Sequence, residues 1–153
     1  MVPVAIGEGA IREATLADIP RIVELGTLWL REGPYAELVP ESPERFTRLA
    51  EQIVSGLGKV LLWEANGQVT GLLAFLVVPH FLTDQMTASE LIWYVLPASR
   101  PEGAGMRLFW AAQDLARELG AKRMEFTAPT EQVGALYRRC GYTQMEVHYQ
   151  RSL

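Results

Sequence analysis

The chain has 153 residues, nearly half of them apolar, so it has enough material for one sizeable core and little beyond it. A net charge of −4 argues against a nucleic-acid binder, which would carry a basic face, and no membrane partner is expected because the most apolar run, 71–78, is far too short to span a bilayer. A single cysteine, Cys140, excludes an intramolecular disulfide, and with only two distant histidines no metal is expected.

Residues up to about Gly9 are glycine-punctuated and read as a loose arm ahead of a single domain that takes in the rest of the chain. They lack a basic start followed by an apolar stretch, so no secretory leader is expected, and the chain reads as soluble and cytoplasmic. Residues 10–14 form a short strand candidate. Thr15 or Asp18 then caps a helix with Pro20 in its first turn, where a missing N–H costs least. Ile19, Ile22, Val23, Gly26 and Leu30 recur at helical spacing. Residues 31–41 break the pattern with Gly33, Pro34 and Pro40, and carry Tyr35 among the acids Glu32, Glu37 and Glu41. Ser42-Pro43 starts a second helix, whose apolar face is Phe46, Leu49, Ala50, Ile53, Val54 and Leu57; Gly56 and Gly58 end it.

Two strands follow, 59–65 and 68–78, joined by Asn66-Gly67. Both turn residues tolerate positive φ, which makes this the strongest hairpin signal in the chain. Residues 80–87 read as a loop. Residues 89–96 form a strand with almost no polar alternation, as expected for a central strand covered on both faces. The next stretch, Leu96 to Met106, contains Arg100-Pro101-Glu102-Gly103-Ala104-Gly105 and leads straight into a helix marked by Leu108, Ala111, Ala112, Leu115, Ala116 and Leu119. Glycines where a strand turns into a helix let a ligand approach the backbone, and the unpartnered first N–H groups favour an anion. Residues 122–127 read as a strand, 130–139 as a helix closed by Gly141, and 142–149 as a last strand. The fold class is therefore α/β, with a mixed, mostly antiparallel central sheet of six to seven strands and helices on both faces.

The segment 100–105 resembles the (Gln/Arg)-x-x-Gly-x-(Gly/Ala) signature of the GNAT family of N-acetyltransferases. Val95-Leu96-Pro97 is similar to the family's strand-ending Val-x-Pro, and Tyr137 to Tyr142 to its Tyr-x-x-x-Gly-(Phe/Tyr) helix end. The opening Ile11 to Thr15 with Asp18 resembles its first strand and helix start. The resemblance implies an acyl-CoA N-acyltransferase fold and acetyl-CoA as co-substrate. It implies a pyrophosphate held by the backbone of Gly103, Ala104, Gly105 and Met106 beside Arg100, and a pantetheine arm along Tyr94, Val95 and Leu96. Thr130 stands where the family often has an asparagine, and Pro101 and Glu102 depart from its commoner glycine and basic residue.

Direct transfer to an amine needs a base for the ammonium proton and an acid for the departing thiolate. By the same resemblance Tyr137 is the acid; its plainer role is to pack the helix on the sheet. Glu90 matches the glutamate base of some members, against the plainer reading of a strand-end acid facing solvent. Tyr35 and His80 stand in the two loops that border acceptor pockets in this fold. The partner expected is a small-molecule or peptide amine, and a homodimer is possible. The alternative is a non-catalytic CoA-binding or protein-interaction domain of the same fold. A P-loop nucleotide binder is excluded, since the chain has no Gly-Lys-(Ser/Thr).

Overall fold

The structure, a computed structural model, describes residues 9–153; the arm expected before Gly9 lies outside the described residues. Strand β1 (Ala10–Glu13) leads through a 3-10 turn into α1 (Ile19–Glu32). The turn is set by Asp18, which accepts from the Thr15 N–H at 2.8 Å and takes both terminal nitrogens of Arg12 at 2.9 Å. Helix α2 (Pro43–Gln52) begins at Ser42, whose hydroxyl accepts from the Arg45 N–H, and widens into a π turn that ends at Gly56 and Gly58. Strands β2 (Gly58–Ala65) and β3 (Gln68–Pro79) close on Asn66 and Gly67 at φ 54° and 71°, as the turn sequence predicts.

Strand β4 (Met86–Val95) starts three residues before the expected Ser89. The reason lies in its partner: β3 continues to Pro79, which pairs with Met86, and draws Met86 to Ala88 into the ladder. A 3-10 turn (Pro97–Glu102) then leads into α3 (Ala104–Glu118), followed by β5 (Arg123–Glu125) and α4 (Glu131–Arg139). The sheet runs β1-β2-β3-β4-β5, antiparallel except for the parallel pair β4–β5.

Two apolar layers enclose the sheet. Helices α1 and α2, with the π turn after α2, cover one face through Ile22, Leu25, Ala50 and Ile53 against Leu62, Leu72 and Ile92. Helix α3 covers the other through Leu108, Ala112 and Ala116 against Leu73, Phe75 and Ala88. Each such buried leucine or phenylalanine contributes roughly 1.5–3 kcal/mol, so this two-sided burial holds β3 and β4 in place.

Two expectations are corrected. Among the described residues the sheet has five strands rather than six or seven, because residues 143–153 lie exposed outside any ladder. A strand is stable only against a neighbour, and this segment makes no backbone hydrogen bond to the rest of the described chain. The strand expected at 122–127 is shortened to its centre, since it pairs with β4 only from Arg123 to Glu125.

Candidate active site

The parallel pair holds together at Thr87–Arg123, Ala88–Met124 and Ser89–Glu125, and no further pair follows. From Glu90 to Val95, no strand among the described residues pairs with β4 on that side, so a slot about 17 Å long opens between the strands. The Leu96 N–H donates to Thr70 O at 2.8 Å, and ladder alternation therefore turns Tyr94 and Leu96 toward β3. The backbone groups facing the slot belong to Trp93 and Val95. Of the three residues expected along a pantetheine arm, Val95 has its backbone groups toward the slot, as does Trp93, whereas those of Tyr94 and Leu96 turn to β3.

At the top of the slot, Gly103 takes φ 76° and starts α3 without any side-chain cap. Its own N–H is spent on Arg100 O at 3.2 Å, and the Arg107 N–H reaches Gly103 O at 3.1 Å. The N–H groups left unpartnered by the helix are those of Ala104, Gly105 and Met106. Gly103 is thus required by its left-handed backbone. Gly105 is not required by packing, for an added Cβ would meet nothing nearer than Trp93 at 3.7 Å. Open space above three free donors at a positive helix end fits an anionic group such as a pyrophosphate.

Arg100 does not stand free over those glycines. Its Nε donates to Val95 O at 2.9 Å, one terminal nitrogen pairs with Glu32 at 3.0 Å, and its guanidinium lies over the Tyr94 ring at 5.6 Å. Glu32 also accepts from the Tyr94 hydroxyl at 2.7 Å. That bond and the Arg100 charge hold the Glu32 carboxyl below the usual range. Burial, then the Glu32 contact, pushes the Tyr94 phenol up to about 12. No local signal announces Glu32, which lies 62 and 68 residues from its partners. Glu102 is exposed and makes no ion pair among the described residues.

Lower in the slot, Thr127 joins the two expected catalytic residues. Its N–H donates to the Glu90 carboxylate at 3.2 Å, and its carbonyl accepts from the Tyr137 hydroxyl at 3.2 Å. Glu90 is half-buried rather than solvent-facing. Burial pushes its carboxyl up to about 7, against the opposing pull of the Thr127 N–H. Tyr137 is buried against Trp93, Phe109, Phe126 and Tyr142 at ring separations of 5.4 to 6.2 Å. Burial first, then the Glu90 charge, raises its phenol well above the ordinary value, so it stays protonated. The arrangement sets a carboxylate that titrates near neutrality beside a phenol that keeps its proton. Thr127 carried no signal in the sequence, since its part is played by backbone atoms alone.

The remaining expected residues lie apart. The Thr130 hydroxyl caps α4 by accepting from the Val133 N–H. Tyr35 stacks on Trp29 at 5.5 Å in the α1–α2 loop. His80 sits beyond the Pro79–Met86 pair, where its Nδ1 accepts from the Leu82 N–H. That is four residues along β4 from Glu90, or about 13 Å. Among the described residues, no group of three His, Cys, Asp or Glu side chains is placed to hold a metal ion, and no helix is long and apolar enough to cross a membrane.

A model of the Acetyltransferase (GNAT) family matches residues 23–142, most of the chain, and the chain belongs to that family. No curated protein matches the sequence at a significant level. Among solved structures, the chain is similar to the aminoglycoside N-acetyltransferase AAC(6')-Iy in complex with CoA, at 17% identity and a TM-score of 0.77 over 99% of both chains. It is also similar to an aminoglycoside acetyltransferase from an uncultured soil metagenomic sample in complex with sisomicin, at 16% identity and 0.74, covering 95% of this chain and 97% of that one. A possible acetyltransferase from Clostridium difficile 630 matches at 15% identity and 0.75 over the same shares. These likenesses establish the fold.

Proposed function

We propose that the chain is an acetyl-CoA-dependent N-acetyltransferase that moves the acetyl group directly to a primary amine of a small-molecule acceptor. The observation that carries this reading is the placement of Glu90 and Tyr137 on the two backbone groups of one residue, Thr127, beside the open stretch of β4. Bound acetyl-CoA supplies an activated acetyl thioester. The N–H groups of Ala104, Gly105 and Met106 would hold its pyrophosphate, and the slot-facing backbone of Trp93 and Val95 its amide-bearing arm. Glu90 takes the proton that an ammonium must lose before it attacks, directly or through a water, and a carboxyl titrating near 7 is matched to that task at neutral pH. Tyr137 turns its hydroxyl from Thr127 O and donates its proton to the departing thiolate, and the proton shed by the amide nitrogen as the tetrahedral adduct collapses restores the phenol. No covalent enzyme intermediate is required.

The acceptor assignment rests on the amine chemistry and on the named activities of the similar structures. Thermal melts with acetyl-CoA test the first part, because a ligand that binds only the native chain raises the melting temperature. Release of CoA thiol over a panel of amines, aminoglycosides and polyamines included, tests the second. No shift at millimolar acetyl-CoA overturns the assignment. A non-catalytic reading draws on Arg100, whose Nε occupies Val95 O, and on the acid Glu102 beside the donors. A melting shift without thiol release from any amine would favour it.

A further inference from the structure

The upper mouth of the slot is crossed by a side chain. Arg100 reaches back over it, with its Nε donating to Val95 O at 2.9 Å, a terminal nitrogen on Glu32 at 3.0 Å and its guanidinium over the Tyr94 ring. Val95 O faces the slot, so the guanidinium stands where an incoming amide N–H would have to donate. The backbone that carries Arg100 is pinned on both sides. The hydroxyl of buried Ser99 bonds to that of Thr70 at 2.9 Å, the Ser99 N–H donates to Leu96 O at 2.9 Å, and the Gly103 N–H returns to Arg100 O at 3.2 Å. The part free to move is therefore the side chain of Arg100, which is 51% exposed.

Glu32 is what holds it. This residue ends α1, and its carboxylate takes Arg100 on one oxygen and the Tyr94 hydroxyl on the other. The Tyr94 ring is buried in the layer under α1 and α2, so the carboxylate is oriented by a fixed group. The hydroxyl, and after it the guanidinium, hold that carboxyl below its usual range, which leaves it ionised at neutral pH. Arg100 thus stands between one carboxylate and the three unpartnered N–H groups that begin α3. With those donors empty, it pairs with Glu32. With a diphosphate on them, it has a second partner of greater charge that can accept from the guanidinium bidentately.

We infer that Glu32 is a positioning residue for the cofactor: it latches Arg100 across the mouth of the slot, and a pantetheine thioester binds only the unlatched form. The diphosphate of CoA opens the latch by giving Arg100 its second partner. A pantetheine thioester without that group must open the latch unaided, so the chain selects the nucleotide-bearing carrier. This inference rests on the acetyl-CoA reading of the slot.

The test compares acetyl-CoA with S-acetylpantetheine, the same thioester arm without diphosphate or nucleotide. Dissociation constants are taken from thermal melts over a concentration series of each ligand, for the parent, Glu32→Gln, Arg100→Gln and the double variant. Both positions are half-exposed, and glutamine at 32 still accepts from the Tyr94 hydroxyl, so all four chains should melt cooperatively. Releasing a pair this exposed should tighten binding by about threefold to fivefold. Glu32→Gln should show that gain for both ligands. Relief of charge repulsion alone would favour only the anionic acetyl-CoA, so the gain for the uncharged fragment is what distinguishes a latch. Arg100→Gln should tighten S-acetylpantetheine by a similar factor and weaken acetyl-CoA, and adding Glu32→Gln to it should change fragment binding no further. A Glu32→Gln chain that binds acetyl-CoA no more tightly than the parent, or a gain confined to acetyl-CoA, overturns the latch and leaves the cofactor reading in place. Acetyl-CoA bound by none of the four chains overturns both. Binding that emerges only in the variants supports the latch.

Discussion

Replacing Glu90 by glutamine separates the energetic cost of a half-buried acid from its chemical use. In the native chain burial pushes this carboxyl from 4.5 up to about 7, while in the unfolded chain it titrates near the lower value. Between those two pH values the native state holds a proton that the unfolded state has released. Stability from this group is therefore fully present below about 4.5 and is lost as pH rises through about 7. At 1.4 kcal/mol per pH unit the interval amounts to about 3 kcal/mol, an upper bound for the penalty at pH 8. Glutamine is neutral throughout and still presents an oxygen to the Thr127 N–H. The variant should melt several degrees above the parent at pH 8, given 2–4 °C per kcal/mol at about this chain length, and level with it at pH 4. Its turnover should fall about a hundredfold or more, and the limb near pH 7 in the parent's kcat/KM profile should disappear. A melting difference that does not change with pH, or a variant less stable at pH 8, would refute the reasoning.

Tyr137→Phe keeps the ring stack and loses one hydrogen bond, worth about 1 kcal/mol. Steady-state kinetics should show turnover reduced about tenfold to a hundredfold with little change in the KM for acetyl-CoA; a rise in KM alone would remove Tyr137 as the acid. Gly105→Ala should leave the unliganded melt unchanged or raised by up to about 1 kcal/mol, since alanine suits a helix and only Trp93 lies near, at 3.7 Å. The same variant should lose the melting shift given by acetyl-CoA, and a full shift would show that the open space is not used. Hydrogen bonds from Arg12 hold Asp18 down to about 2, so its stabilisation is present above 3.8 and lost as pH falls toward 2. With Arg12 40% exposed, Asp18→Asn should cost about 1 kcal/mol in urea titrations at pH 7 and progressively less as pH falls through about 2, and a cost independent of pH would refute the charge argument.

Features decided within a few residues were legible in the sequence. Asn66-Gly67 and Ser42-Pro43 act through their own backbone preferences, and the structure has the turn and the helix start that they predict. Features decided by a distant partner were not. The early start of β4 at Met86 follows from the length of β3, and the trimmed β5 from divergence after Glu125. The segment 142–149 has strand composition, but a ladder needs a paired neighbour as well as a sequence, and among the described residues it pairs with none. The same division runs through the site. The uncapped turn at Gly103 could be placed from its glycines, whereas the neutralising of Arg100 by Glu32 depends on a contact across 68 residues.

One feature of β4 accounts for both the opening of the slot and the setting of its base. Ala74 pairs with Ile92 but Phe75 pairs with Glu90, so Leu91 is an extra residue, a bulge in β4. In an unbroken strand Glu90 would share a face with Ile92 and Tyr94, which pack under α1 and α2. The inserted residue puts Leu91 and Ile92 together on that side and returns Glu90 to the face of Ala88, toward α3 and α4. There it meets the Thr127 N–H. The β4–β5 pairing stops at Ser89, immediately before the bulge, as expected where a bulge bends and twists its strand away from a neighbour. A single inserted residue thus aims the carboxylate and frees the edge of β4. Strand composition alone could not show this, because an added leucine in an apolar strand looks like more of the same core.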